Sequence, residues 1–309
     1  MKQKIVERIV ELIRETSSSL PEDVLKALKS ALRKEERGKS AAVVLKTILD
    51  NCALAKKQST PLCQDTGTLA FYVDESLKKK VTPAVIKRAV AIATERGYLR
   101  KNCIDSVTGK SYDDNCCDGA PVVHYVATDG DSGVPEPRPK ERGGKVTLLL
   151  KGGGSENMSR QYSLPDASLG AGRDLEGVRK CILDAVVKAQ GFGCAPGILG
   201  VCIGGDRATA YEVAKEQLLR PIGSGKDSAS PVGGAGTAGE AESLPLRKLE
   251  ARILKEANSL GIGPMGLGGK TTLLGVKIAS RPRVPASFFV TVAYMCWACR
   301  RRTIVVGGS

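Results

Sequence analysis

The sequence has few aromatic residues, a single histidine and no long apolar run. Aromatic residues make up 4% of its 309 residues and hydrophobic residues 42%, so we expect a sizeable core built from aliphatic side chains. No apolar stretch reaches the roughly 18 residues of a transmembrane helix, so no membrane span is expected. Residues 1–16 carry charges throughout, whereas a secretory leader has an uncharged apolar stretch. This difference favours a cytoplasmic protein with reduced thiols.

The ten cysteines lack the paired C-x₂-C spacing of structural zinc sites. Because reduced thiols are expected, metal ligation by a ligand set assembled in the fold is favoured over a disulfide framework. The one histidine, His124, lies in an apolar run at strand spacing and is interpreted as a packed strand residue. A nucleophilic site of the Ser/His/Asp or Cys/His type would need this histidine, and no neighbouring motif supports one.

The net charge of +14 is compatible with nucleic acid, an anionic small substrate or an acidic partner. Nucleic-acid-binding surfaces often interleave aromatic with basic residues, and aromatic residues are scarce here. The basic residues are spread thinly over predicted helices, with small clusters at 78–80 and 300–302 that are typical of solvated faces. Nucleic acid is therefore not an expected partner.

Hydrophobic periodicity predicts helices over residues 1–57 and an alternation of strands and helices over residues 58–309. Strands are predicted at 69–74, 121–126, 145–150, 198–203, 273–278 and 288–295, and helices at 82–98, 175–190, 208–219 and 246–259. Gly- and Pro-rich composition predicts an exposed loop at 129–144 and a flexible connection at 223–239. The pattern indicates an α/β or α+β layered architecture, with residues 1–309 as a single domain.

Three cysteines stand at the edges of apolar, strand-like runs with small or turn-forming neighbours: Cys63, Cys194 and Cys296. Three thiolates from distant places can hold three irons of a cubane [4Fe–4S] cluster and leave the fourth iron open. An open iron is a Lewis acid for a substrate hydroxyl and carboxylate. Asp65, two residues after Cys63, would stand beside that chemistry. The residues alone leave other trios open, and Cys299 is the rival of Cys296.

The remaining cysteines fall into two groups. Three lie inside predicted helices or an apolar strand and are interpreted as core residues: Cys52, Cys181 and Cys202. Three lie in a loop rich in Asp and Asn, where they could ligate a metal: Cys103, Cys116 and Cys117. Because Cys116 and Cys117 are adjacent, they are poorly placed to hold a cubane together.

Two glycine-rich loops are candidates for anion binding. Residues 151–157 follow a predicted strand, and consecutive glycines there let backbone N–H groups approach a carboxylate or phosphate, although a tight turn explains the same pattern. Residues 268–272 resemble the end of a Walker A loop, but Pro264 stands where a glycine is required, so triphosphate binding is not expected. Lys270 in this loop can still bind a carboxylate.

Five motifs, in order along nearly the whole chain, together resemble the N-terminal (alpha) part of class I fumarate hydratase. They occupy residues 60–68, 151–157, 194–200, 260–272 and 285–298. The same family contains the L(+)-tartrate dehydratase alpha subunit. The resemblance implies an oxygen-sensitive [4Fe–4S] hydro-lyase that adds or removes water at a C4 dicarboxylate, either fumarate and L-malate or L-tartrate.

The resemblance also assigns roles by motif. The implied cluster ligands are Cys63, Cys194 and Cys296, and the implied acid/base is Asp65. The implied substrate contacts are Gln64, Arg100 as a bidentate carboxylate ligand, a backbone N–H of Gly153 or Gly154, and Lys270 from its glycine loop. A second, C-terminal module completes the site in this family, so a beta-subunit partner and a hetero-oligomer are expected.

The chain departs from the family pattern at two places of interest. The family commonly has a substrate-contacting histidine twelve residues before the third cysteine, and here that position is Val284. We expect the nearby Arg281 or Arg283 to replace it. The family's Asn-Thr-Gly-Asp-Asn-type loop appears as residues 115–119, with two cysteines. The valine motivates an alternative hypothesis, a non-catalytic or degenerate cluster-binding relative that senses redox state or iron.

Overall fold

The computed structural model describes residues 2–127, 143–223 and 240–307. The loops predicted at 129–144 and 223–239 lie almost wholly outside these ranges. The chain begins with three helices, α1 (Lys2–Ser18), α2 (Glu22–Lys34) and α3 (Ser40–Gln58), as the apolar periodicity predicted. None of the helices within the described ranges has the length and apolarity needed to cross a bilayer.

The first sheet has four strands, β1 (Thr68–Asp74), β4 (Val122–Val126), β5 (Gly144–Lys151) and β10 (Arg300–Val306). Their order is β10-β5-β1-β4, with β1 and β4 parallel and β5 antiparallel to both of its neighbours. α1 and α4 (Pro83–Glu95) cover one face, where aliphatic side chains of helices and strands form one core cluster. The predicted aliphatic core is therefore confirmed here.

The second sheet has the order β6-β9-β7-β8, formed by β6 (Arg160–Ser163), β7 (Gly197–Gly204), β8 (Leu273–Arg281) and β9 (Phe289–Met295). β7 is parallel to β8 and antiparallel to β9. α6 (Leu175–Ala189) and α8 (Glu240–Ser259) cover one face, and α7 (Arg207–Gln217) with α2 and α3 covers the other. Helices on both faces bury all eight residues of β7, which explains why its sequence is continuously apolar.

The mixture of sheets and covering helices confirms the α/β prediction, with some differences in detail. α4 ends three residues before the predicted boundary at 98. The prediction missed the hairpin of β2 (Cys103–Ile104) and β3 (Ser111–Tyr112), the short helix α5 (Gly153–Asn157), and strands β6 and β10. The core assignment of Cys52, Cys181 and Cys202 is confirmed, since all three are buried.

His124 is a packed residue of strand β4, as predicted. Its ring stacks on Tyr72 of the neighbouring strand, with centroids 4.9 Å apart. Burial lowers the pKa of His124, so the ring is neutral near neutral pH.

The arginines at 300–302 were predicted to be solvated, and that is wrong for two of them. Arg300 is 1% exposed and Arg301 is 8% exposed, because both lie in β10 beneath the helices. Arg301 donates to Asp23 Oδ2 at 2.6 Å and to the carbonyl oxygens of Leu219 and Arg220. A buried cation is tolerated here because a carboxylate and carbonyl groups replace water.

We expect Asp23→Ala to destabilise the chain by about 3 kcal/mol, because it leaves the buried Arg301 without its carboxylate. Asp23 also accepts a hydrogen bond from the Ile222 N–H at 2.8 Å, which the substitution removes. Urea unfolding of both proteins measures the change in the free energy of unfolding. Glu22→Ala is the matched control, since it removes an exposed pair with Lys26, and should change little. Equal losses in the two variants would contradict this role for Asp23.

Candidate active site

Strand ends from both sheets meet at one place. In the first sheet β1 begins where β5 ends, and β10 begins beside them, with Arg300 opposite Leu150. In the second sheet β7 begins where β9 ends, with Ile198 opposite Met295. The segment 296–299 runs from the end of β9 to the start of β10, so it joins the two sheets at this place.

The three predicted ligand cysteines lie on segments that converge here. Cys63 is on the loop before β1, Cys194 precedes β7 and Cys296 follows β9. The Trp297 N–H donates to the Cys194 carbonyl at 3.2 Å and ties the second segment to the third. Burial and then the nearby Cys63 raise the pKa of Cys194. Burial also raises the pKa of Cys296 to about 12, with a smaller contribution from Cys194.

Cys299, the rival of Cys296, faces the protein interior. It is fully buried in a core cluster that also contains Leu218 and Ala298. Its sulfur lies 4.0 Å from the Leu218 carbonyl oxygen and accepts from Arg301 Nη1 at 3.7 Å. The side chain therefore points toward the end of α7, and the geometry favours Cys296 as the third thiolate of this site.

The donor set fits a thiolate-bound cluster. All three residues are partly exposed, and their thiols are free of disulfides. Nowhere in residues 2–127, 143–223 and 240–307 do three His, Cys, Asp or Glu side chains form a group that could hold a metal ion. A cubane does not need such convergence, because each thiolate binds a different iron.

A buried cation beside the sulfurs supports the same fit. Arg300 leaves its Nε and Nη1 without a hydrogen-bond partner among the described residues, although the side chain is almost completely buried. Its charge counteracts the effect of burial on the pKa of Cys296. An unpaired buried cation is costly unless an anion lies close by, and a thiolate-bound cluster would provide that negative charge.

Asp65 is held by groups from three separate segments. Its Oδ1 accepts from the Gly67 N–H at 2.9 Å and from Asn102 Nδ2 at 3.1 Å. Its Oδ2 accepts from the Gly153 N–H at 2.6 Å, and its carbonyl oxygen accepts from Arg300 Nη2 at 3.0 Å. A carboxylate offers about four lone-pair positions, so these contacts fix the orientation of the group and leave one position on Oδ2.

Gly67 brings the Asp65 loop against the end of β5. Its φ of 82° lies in the left-handed region that glycine adopts readily. A Cβ at this position would lie 2.6 Å from the carbonyl carbon of Lys151, so any side chain would push the two loops apart. The glycine thus allows the close approach that lets Gly153 reach Asp65.

The glycine loop after β5 forms α5, with Gly152 as the residue before the helix. The anion that its Gly153 N–H contacts is the chain's own Asp65. Lys151, also buried, forms an ion pair with Glu156 from the same loop. A Cβ on Gly154 would meet nothing within 4 Å, so the backbone of Gly154 is open to a ligand.

The other predicted substrate contacts are exposed. Gln64 lies on the same loop as Cys63 and Asp65. Arg100 is exposed, and its side chain has no partner among the described residues, while its carbonyl oxygen accepts from Asn115 Nδ2 at 2.8 Å. Lys270 is exposed on its glycine loop, and its backbone N–H donates to the Glu35 carboxylate at 2.8 and 3.0 Å. Their contacts with substrate remain predictions.

Val284 lies at the opposite end of the second sheet from Cys296. β8 ends at Arg281, which pairs with Gly204 at the last position of β7. The seven residues of β9 then lead back to Cys296. At ~3.3 Å per residue they separate the Val284 loop from Cys296 by roughly 20 Å. Within one chain, Val284 therefore does not line the site.

For the same reason, Arg281 and Arg283 do not reach the site within one chain, contrary to the expectation that one of them replaces a histidine there. Arg283 Nη1 donates to three carbonyl oxygens of its own loop, those of Val284, Pro285 and Ser287. The Arg283 guanidinium also lies over the Phe288 ring, 4.5 Å from its centroid. Arg283 stabilises the turn between β8 and β9 at the far end of the sheet.

Comparisons with known proteins identify the family to which the chain is similar. The family model for fumarate hydratase (Fumerase) matches residues 6–305. The chain is 45% identical over 304 residues to a Geobacillus stearothermophilus protein named "Putative fumarate hydratase class I". That alignment covers 97% of this chain and 54% of the relative, so the chain spans about half the length of that relative.

Two further relatives match over nearly their whole length. A Methanocaldococcus jannaschii protein named "Putative L(+)-tartrate dehydratase subunit alpha" is 33% identical over 304 residues, with 96% of each chain covered. The "L(+)-tartrate dehydratase subunit alpha" of Escherichia coli is 28% identical over 313 residues, with 99% of this chain and 93% of the relative covered.

Proposed function

The chain belongs to the fumarate hydratase family, and on that premise we propose that it is the cluster-binding alpha part of a hydro-lyase for C4 dicarboxylates. Fumarate and L-malate are the first choice of substrate, because the 45%-identical relative is named for fumarate hydratase. L-tartrate is the second choice, because the relatives named as tartrate dehydratase subunits are 28–33% identical.

One observation carries the proposal. The segments that carry Cys63, Cys194 and Cys296 converge where the two sheets meet, and the neighbouring Asp65 carboxylate accepts three hydrogen bonds that fix its orientation. The three thiolates would hold a [4Fe–4S] cluster, with Arg300 balancing its charge. When bound, such a cluster supplies a Lewis-acidic iron for the oxygens of a hydroxy acid.

The chain's own residues would position the substrate and move a proton. Asp65 is the acid/base, acting through the position left open on Oδ2, since Gly67, Asn102 and Gly153 occupy the others. Arg100, exposed on a loop close to Asp65, would bind one substrate carboxylate with two parallel hydrogen bonds. Gln64 and the open backbone at Gly154 would contribute further polar contacts, and Lys270 a second cation.

A beta-type module would complete the site on its open side. Phe192, two residues before Cys194, is 76% exposed, and Leu267 and Met265 on the adjoining loop are 59% and 41% exposed. Gly191 lies against the Met265 backbone, so the segments that carry these side chains are neighbours. Exposed apolar side chains mark interaction sites where they form a contiguous patch, and we propose such a patch here. About half of the Geobacillus relative lies outside its alignment with this chain and could contain such a module.

The whole chain would act as a single unit within the hetero-oligomer. We place this assembly in the cytoplasm, where reducing conditions preserve thiolate ligands. The alternative, a degenerate cluster-binding relative, was motivated by Val284. That residue lies at the far end of the second sheet within this chain, so the valine no longer argues against catalysis.

We expect the chain alone, loaded anaerobically with iron and sulfide, to show negligible hydration of fumarate. Adding a beta-type module from the same source should produce activity, because half of the substrate pocket would lie on that module. Loss of fumarate absorbance measures the rate.

Phe192→Asp provides the matched variant. It should retain the iron–sulfur chromophore of the chain while failing to gain activity, since a charge would replace an apolar group in the contact. Robust turnover by the chain on its own would contradict the split-enzyme proposal.

A further inference from the structure

The loop between α4 and β4 carries three cysteines that the candidate active site does not use. Cys103 Sγ lies 3.5 Å from Cys117 Sγ. Cys116 turns away from this pair, with its sulfur 3.4 Å from the carbonyl oxygens of Lys87 and Asp114. The loop therefore contains one close pair of thiols and one neighbouring thiol that does not face them.

A disulfide between Cys103 and Cys117 needs only a small movement. An S–S bond is about 2.05 Å long, so the two sulfurs must approach by about 1.5 Å. Both cysteines are half-buried, and the neighbouring Ile104, Asp118 and Gly119 are exposed. The pair is thus accessible to a small reagent and lies in a segment of short strands and turns, which can shift by that amount.

The pair is linked to Asp65 through one buried asparagine. Asn115 Oδ1 accepts from the Cys103 N–H at 3.0 Å and from the Asn102 N–H at 2.8 Å. The side chain of Asn102 in turn donates to Asp65 Oδ1 at 3.1 Å. A shift of Cys103 toward Cys117 therefore pulls on the same acceptor that positions Asn102.

We propose that Cys103 and Cys117 form an oxidisable dithiol whose disulfide state withdraws Asn102 from Asp65. The consequence for turnover rests on the proposed function, whereas formation of the disulfide does not. Nothing in the candidate cluster site needs these two thiols, so the pair can be oxidised while Cys63, Cys194 and Cys296 stay intact.

The oxidant would be a low-molecular-weight disulfide, RSSR. The Cys117 thiolate attacks one sulfur of RSSR, which forms a mixed disulfide and releases RS⁻. The Cys103 thiolate then attacks the Cys117 sulfur and releases the second RS⁻. The two protein thiols give up two protons and two electrons in all, and RSSR becomes two RSH. Burial and then the hydrogen bond to Cys117 raise the pKa of Cys103, so oxidation should be faster at higher pH, where more of this thiol is ionised.

The test exposes the anaerobically purified full-length chain to glutathione disulfide, followed by alkylation and peptide mass spectrometry. The wild-type protein should lose two alkylatable thiols and yield a Cys103–Cys117 cross-link. Cys103→Ser should instead accumulate a mixed disulfide on Cys117. Cys116→Ser is the matched control and should keep the cross-link. If Cys103 and Cys117 both remain alkylatable, or if Cys116 is the residue that becomes cross-linked, the assignment is overturned.

Hydrogen exchange tests the link to Asp65 separately from any activity. In the cross-linked wild-type protein, the amides of residues 102 and 103 should exchange several-fold faster, because their shared acceptor on Asn115 has moved. Dithiothreitol should restore slow exchange. A cross-linked protein with unchanged exchange in this segment would overturn the coupling between the dithiol and the site.

Discussion

Asp65→Asn is expected to lower turnover of the assembled enzyme by about 10²–10⁴-fold while the cluster stays bound. The carboxylate accepts hydrogen bonds from Gly67, Asn102 and Gly153 and keeps one position free for a proton. An asparagine has nearly the same shape but only one acceptor oxygen, and it cannot accept the proton. If that oxygen stays toward Gly67, the new NH₂ group faces the Gly153 N–H.

Steady-state kcat, measured together with iron content, tests this expectation. Asp113→Asn is the matched control, because it makes the same change at an exposed acid whose side chain pairs with Lys101 on the nearby loop. The control should keep wild-type turnover. Near-normal turnover in Asp65→Asn would remove Asp65 from the mechanism, and loss of iron would make its role structural instead.

Cys63→Ser, Cys194→Ser and Cys296→Ser are each expected to abolish the iron–sulfur chromophore. Serine keeps the size of the side chain but replaces a thiolate, the ligand that iron–sulfur clusters use, by a hydroxyl. With only three protein ligands, the loss of one leaves two attachment points.

Cys299→Ser is the control within the same segment, and it should keep the chromophore. Its sulfur contacts the Leu218 carbonyl and Arg301 in the core. Far-UV circular dichroism of all four variants separates cluster loss from misfolding. If Cys299→Ser loses the iron–sulfur chromophore while Cys296→Ser keeps it, the third ligand is Cys299 and not Cys296.

Much of the fold was predictable from the sequence because local signals and burial agree. The apolar periodicity over residues 1–57 predicted the three N-terminal helices. The apolar run at 198–203 predicted strand β7, which the structure shows to be buried along its whole length. Strand β10 was missed because the arginines at 300–302 were interpreted as a solvent-exposed cluster. Only the tertiary structure supplies the carboxylate of Asp23 and the carbonyl groups that make burial of Arg301 tolerable.

Sequence motifs suggested candidate site residues, but they could not show which residues from distant strands and loops lie beside them. Small and turn-forming neighbours drew attention to Cys63, Cys194 and Cys296, and the resemblance to class I fumarate hydratase then singled them out as the implied ligands. Asn102 and Arg300 were missed, since their contacts with Asp65 arise only when the ends of distant strands meet.

The expectation for Val284 came from the family's histidine at this motif position, and within one chain the structure does not place that position in the site. Val284 lies twelve positions before Cys296, and seven of the residues between them form the extended strand β9. Because an extended strand rises ~3.3 Å per residue, Val284 lies at the opposite end of the sheet from Cys296.

The iron and sulfide content of the anaerobically purified wild-type chain, together with its electron paramagnetic resonance spectrum after mild oxidation, tests the central claim most directly. Three cysteine ligands predict a cubane with one iron that no protein group holds. We therefore expect a [4Fe–4S] centre that loses a single iron on oxidation and gives the signal of a three-iron cluster. A mononuclear metal, or a cubane that keeps all its irons under the same treatment, would contradict the proposed three-cysteine site.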